Sequence, residues 1–134
     1  MSKILIVCTS WYEDHLKKMI QSSKTSFESE YDIQFLTAPG AIELAASAKN
    51  SLSKENFSGV LFLGVIMRGE TSHYGLVSQE TFRSIGSLAL EFPDKAAINN
   101  VICIENETQL VERIEKNTLN NCNDLKNLIH EKSC

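Results

Sequence analysis

The chain has 134 residues, 43% hydrophobic and 22% charged, which is the size and composition of one soluble domain whose core needs no disulfide or metal staple. Its formal net charge of −4 gives no overall basic field for nucleic acid or an anionic membrane, so an anionic substrate would need a local site. No segment is apolar for long enough to cross a bilayer, and the N-terminal MSKILIVC is too short for a signal peptide.

That N-terminal run, Lys3 to Cys8, is short, β-branched and continuous, as expected of a strand covered on both faces. Asp14 to about Phe27 carries Leu16, Met19, Ile20 and Phe27 at helical spacing. Tyr31 to Leu36 alternates as a second strand, APG punctuates, and Ala41 to about Leu52 is an alanine-rich helix. Val60 to Gly64 is a third strand. His73 to Phe92 should be a long helix with Tyr74, Val77, Phe82, Ile85, Leu88, Ala89 and Phe92 on one face, stopped by Pro93. Ala96 to Ile104 is a fourth strand interrupted by Asn99 and Asn100. Two helices then finish the chain, Glu107 to Thr118 and Asn123 to Lys132, joined by the asparagine-rich NTLNNCND.

Alternation of this kind predicts an α/β fold: a three-layer α/β/α sandwich around a four-stranded parallel sheet. No repeat, linker or low-complexity tract divides residues 1–134, so one domain is expected. Cys8, Cys103, Cys122 and Cys134 show neither CxxC spacing nor paired histidines, the pattern of free thiols in a cytoplasmic protein.

Open parallel sheets bind ligands beyond the carboxyl ends of their strands. Those ends hold SWYED, TAPGAIE and VIMRGETSH. In the last, Gly69 permits a tight turn and close approach to a ligand, and Thr71 or Ser72 can cap the following helix. The unpaired amides and positive dipole of such a helix start hold phosphate readily. His73 stands in the first turn, where an imidazole near its ordinary pKa can give and take protons. Plainer readings stay open at this point. The helix start can be only a cap, Trp11 can be core, Glu43 can serve the helix dipole, and Arg68 can pair with an acidic neighbour. His15 and His130 read as surface or packing residues.

TAPGAIELAASAK and LGVIMRGETSHYGLV resemble the two signature segments of the 6,7-dimethyl-8-ribityllumazine synthase family. The resemblance runs from about Lys3 to Ile129 and takes in QETF and Glu112–Arg113. It implies a flavodoxin-like fold and a cytoplasmic transferase of riboflavin biosynthesis. That enzyme condenses 5-amino-6-(D-ribitylamino)uracil with 3,4-dihydroxy-2-butanone 4-phosphate, without metal or organic cofactor. It further implies a homopentamer with sites between subunits; sixty-subunit shells also occur in the family.

By the same resemblance, Trp11 stacks on the pyrimidine and Ala41, Ile42 and Glu43 hold the ribityl chain. Val65, Ile66 and Met67 contact the pyrimidine through their backbone. Glu70, through its N–H, and Thr71 bind phosphate together with Arg113, and His73 transfers protons. Asn99 matches a position, usually aromatic, that reaches the pocket from a neighbouring subunit.

The chain departs from the family pattern in several places. Asn99 and Ile42 replace aromatics, Tyr12 stands where asparagine is usual, and Asn120 to Asn123 replaces a GNKG-like stretch, so a lysine near the phosphate is missing at Asn121. The short N-terminus points to an isolated pentamer rather than a shell. Two alternatives follow: a relative that binds flavin-like ligands or builds shells with weak catalysis, and an archaeal-type riboflavin synthase, against which the phosphate-binding segment speaks.

Overall fold

The computed structural model describes residues 1–69 and 73–133. Strand β1 (Lys3–Thr9) is buried from Ile4 onward. Because side chains alternate along a strand, its continuous apolar run feeds two cores at once. Ile4, Ile6 and Cys8 enter one, and Leu5 and Val7 enter the other. Strand β2 (Asp32–Ala38), strand β3 (Gly59–Met67) and strand β4 (Ala96–Ile104) complete one parallel sheet in the order β2-β1-β3-β4. Helix α1 (Glu13–Phe27) and helix α4 (Glu107–Lys132) cover one face with Leu16, Met19, Phe27, Leu110 and Ile114. Helix α2 (Leu44–Lys54), entered through a 3-10 turn at Ala41–Glu43, and helix α3 (His73–Glu91) cover the other with Leu44, Ala48, Leu52, Ile85 and Leu88. The expected three-layer α/β/α architecture is therefore observed. No described helix is long and apolar enough to cross a membrane.

The structure differs from the sequence reading in three places. First, β3 does not stop at Gly64 but runs to Met67. Its last pair with β1 is Leu63 with Cys8, whereas its pairing with β4 continues to Met67 with Ile104. Val65 to Met67 thus project past the end of β1 and leave a step at the carboxyl edge of the sheet.

Second, the two C-terminal helices are one. Leu110, Ile114, Thr118, Cys122, Leu125 and Ile129 form an unbroken buried stripe at helical spacing. Each asparagine in NTLNNCND disfavours helix by only ~0.7 kcal/mol or less, and burying the stripe outweighs that. Asn100 fastens the same segment to β4. Its Nδ2 donates to Thr118 Oγ1 at 3.0 Å, and its Oδ1 accepts from Asn121 Nδ2 at 2.6 Å. Asn106 caps the start of α4, its side chain accepting from Gln109 N at 3.0 Å.

Third, Phe82 lies outside on α3 and Thr81 is buried in its place. The stripe that packs inward runs Val77, Thr81, Ile85, Leu88, and position 82 is about 100° away from it.

Candidate functional site

A cleft of about 400 Å³ opens at the step between β1 and β3. That volume is within the ~300–1,000 Å³ of small-molecule sites, and the position is the switch point where crossovers leave in opposite directions. Three stretches distant in sequence build it.

The first is the turn after β1. Ser10 and Trp11 lead into Tyr12, which has φ 57° and ψ 52°, the left-handed region. That geometry aims the Tyr12 carbonyl at the start of α1, where it accepts from His15 N and Leu16 N, each at 3.0 Å. Trp11 is 65% exposed and therefore not core. Its Nε1 donates to Pro39 O at 3.1 Å, which pins the indole across to the loop after β2.

The second stretch is that loop. Gly40 is extended, and its carbonyl accepts from Glu43 N at 3.3 Å to start the 3-10 turn. A methyl group built on Gly40 would sit 3.6 Å from Glu43 Oε2 and 3.9 Å from Trp11 Nε1. The carboxylate of Glu43, the Gly40 backbone and the edge of the indole therefore converge on one spot. Ala41 is half-buried and Ile42 lies exposed on the rim.

The third stretch is the projecting end of β3 and the start of α3. Val65 and Ile66 are buried, Met67 is half-buried, and His73 stands exposed as the first residue of α3 on the cleft wall. Arg68 proves to have the structural role. Its N donates to Ile104 O at 3.0 Å, its Nη1 lies 3.4 Å from Glu105 Oε1, and its guanidinium lies 5.9 Å from the centre of the Tyr74 ring. Burial pushes the Tyr74 phenol up, and the Glu105 carboxylate adds to the effect. Glu70, Thr71 and Ser72 lie outside the described residues, so the expected phosphate contacts of Glu70 and Thr71 do too.

The fold thus gathers Trp11, Ala41, Ile42, Glu43, Val65, Ile66, Met67 and His73 in one cleft. Asn99 and Arg113 are not among the residues lining it. Asn99 is half-buried in β4, where its Oδ1 accepts from Val101 N at 2.8 Å. Arg113 is exposed on α4, on the opposite face of the sheet. Among the described residues no group of three or more His, Cys, Asp or Glu side chains is placed to hold a metal. Of the other histidines, His15 is half-buried with Nε2 3.2 Å from Glu107 Oε1, and His130 is exposed on α4. The sequence reading did not assign to the cleft Thr9, Tyr12, Tyr74 or Val77, which also line it. Tyr12 adjoins Trp11 in the chain and Thr9 lies two residues before it, which was the available signal for them.

Residues 1–128 match the family model described as 6,7-dimethyl-8-ribityllumazine synthase. The 6,7-dimethyl-8-ribityllumazine synthase of Novosphingobium aromaticivorans is 33% identical over 117 residues, 86% of this chain and 82% of that relative. That of Erythrobacter litoralis is 35% identical over 117 residues, covering 86% and 81%. That of Neisseria meningitidis serogroup C is 35% identical over 109 residues, covering 77% and 68%.

Proposed function

The chain belongs to the 6,7-dimethyl-8-ribityllumazine synthase family, transferases of riboflavin biosynthesis, and from that premise we propose how its cleft carries the reaction. The activity is the condensation of 5-amino-6-(D-ribitylamino)uracil with 3,4-dihydroxy-2-butanone 4-phosphate to 6,7-dimethyl-8-ribityllumazine. The observation that carries the assignment of the site is the meeting of Trp11, Ala41 to Glu43, Val65 to Met67, Gly69 and His73 in one cleft of ligand size.

The flat pyrimidine lies against the open face of Trp11, whose large π surface suits it. Its polar edge meets the backbone of Val65, Ile66 and Met67. The ribityl hydroxyls meet Glu43 and the amides at Ala41 and Ile42. That arrangement turns the 5-amino group toward α3, where the ketone phosphate binds. The start of α3, with Glu70 through its N–H and with Thr71, holds the phosphate. The amine attacks the ketone and loses water to form an imine, phosphate is eliminated, and ring closure expels a second water. Each step moves a proton, and His73 at the cleft wall is the group to move it.

Arg113 and Asn99 enter from a neighbouring subunit of a homopentamer. Their position away from their own cleft supports this, as do the exposed apolar side chains of Ile42, Leu76, Phe82 and Leu90, which a neighbour would cover. A guanidinium then grips the phosphate with paired hydrogen bonds. Free thiols at Cys8, Cys103 and Cys122 support a cytoplasmic setting.

The test is the absorbance of the lumazine product formed from both purified substrates. The wild type should exceed the uncatalysed rate, and His73→Ala should be ~10²–10⁴-fold slower in kcat. Arg113→Ala should chiefly raise KM for the phosphate substrate. A wild type no faster than the uncatalysed reaction would reject the assignment.

A further inference from the structure

We infer that Tyr12 is a specificity-determining residue of the cleft, a second aromatic contact for the flat heterocyclic substrate beside Trp11. Two independent observations meet at this residue. Tyr12 has φ 57°, and among the described residues it is the non-glycine residue with positive φ. The left-handed region crowds an L side chain against the backbone, and glycine, asparagine or aspartate occupies it far more readily than tyrosine. The turn itself asks only for the carbonyl direction that lets His15 N and Leu16 N bond to Tyr12 O, and any of those smaller residues would provide it. The tyrosine side chain does not repay the strain inside the protein. It belongs to neither hydrophobic core, is 41% exposed, and its hydroxyl bonds to no described residue.

Its place in the fold supplies the second observation. Tyr12 lines the same cleft as Trp11, its neighbour in the chain, and as Gly69 and His73. The neighbouring indole is held by Pro39 O and is largely exposed. Two consecutive exposed aromatics at the β1 end of a small-molecule cleft form a platform for a planar ring, away from the α3 end where an anion would sit. Strain kept in a side chain that the fold does not use, and that points at a ligand site, marks recognition rather than folding.

The inference rests on the functional reading above, and its test separates the two. Binding of 5-amino-6-(D-ribitylamino)uracil is measured by quenching of Trp11, the single tryptophan, for wild type, Tyr12→Phe, Tyr12→Asn and Tyr12→Gly. Steady-state KM for each substrate and thermal unfolding are measured alongside. Tyr12→Asn and Tyr12→Gly should weaken pyrimidine binding about tenfold while leaving KM for the ketone phosphate within about twofold. The same two variants should melt about 3–6 °C higher, because the strain is released. Tyr12→Phe keeps the ring and should bind like wild type. Pyrimidine affinity unchanged in Tyr12→Asn, or a melting temperature that fails to rise, overturns the inference and leaves the functional reading intact. A wild type that binds neither substrate overturns both.

Discussion

Asn100 is 1% exposed in the middle of β4 and is the polar bolt between that strand and α4. Replacing it with alanine removes two hydrogen bonds, to Thr118 Oγ1 at 3.0 Å and from Asn121 Nδ2 at 2.6 Å. Thr118 is fully buried, so its hydroxyl loses that partner with no water to take its place; Asn121 is half-buried and can turn to solvent. A net hydrogen bond is worth ~1 kcal/mol and a stranded buried group costs ~1–3 kcal/mol, so Asn100→Ala should destabilise by about 2–4 kcal/mol. Asn121→Ala, with solvent available, should cost about 1 kcal/mol. The pair should couple by about 1 kcal/mol in a double-mutant cycle. Urea unfolding at one fixed protein concentration measures all three, the concentration being held because assembly would add to stability. The reasoning fails if Asn100→Ala costs less than about 0.5 kcal/mol, or if the two substitutions are additive.

Thr81 is fully buried on α3, and its Oγ1 has no hydrogen-bond partner among the described residues. Thr81→Val keeps the shape and removes the stranded hydroxyl, so the urea midpoint should rise by an amount worth about 1 kcal/mol; a fall would mean that the hydroxyl is satisfied. A methyl group on Gly59 would lie 3.0 Å from Ile129 Cδ1, 3.1 Å from Leu125 Cδ1 and 3.2 Å from the fixed carbonyl of Ala96. Gly59→Ala should therefore destabilise by about 1–3 kcal/mol by the same measurement, and a neutral result would contradict the packing. Burial pushes the thiols of Cys8, Cys103 and Cys122 up, although hydrogen bonds to Thr37, Ser78 and Ser23 respectively oppose it. Above the ordinary thiol pKa of ~8.5 the unfolded chain releases protons that the folded chain keeps, so stability is full below that pH and falls as pH rises through it. Urea midpoints between pH 7 and pH 9.5 should show the fall, and Cys122→Ala should lessen it. A rise would contradict the burial of these groups.

Strand identity was legible where local chemistry and tertiary need agree. Ala96 to Ile104 is a strand from end to end because its apolar positions feed both cores. Legibility failed where one residue type has two uses. Gly64 read as a strand end, since glycine usually punctuates. Here a Cβ at Gly64 would meet Thr9 Cγ2 and Val101 Cγ2 at an ordinary 3.6 Å, and pairing with β4 carries β3 onward. The asparagines of NTLNNCND read as a turn, but the buried stripe of α4 and the side-chain bond to Asn100 override that propensity. Phe82 was placed inward because it is large and apolar, yet angular position on α3 gives the inward place to Thr81.

The location of the cleft followed from strand ends that carry polar and glycine residues, because an open parallel sheet leaves its crevice there. The left-handed turn at Tyr12 had no local signature, since tyrosine does not favour it. The same limit applies to the relation of Arg113 to the cleft, because Arg113 lies on α4, across the sheet, and is not among the residues lining the cleft of its own chain.

The central claim is that His73 of one subunit and Arg113 of its neighbour act in one site. Mixing two impaired variants tests it directly, with the ketone phosphate held well below the KM of Arg113→Ala. His73→Ala and Arg113→Ala chains are refolded together in equal amounts and assayed for lumazine formation. Sites shared between chains predict that about a quarter of them regain both wild-type residues, with activity to match. Activity no greater than that of the two variants assayed apart would contradict the account.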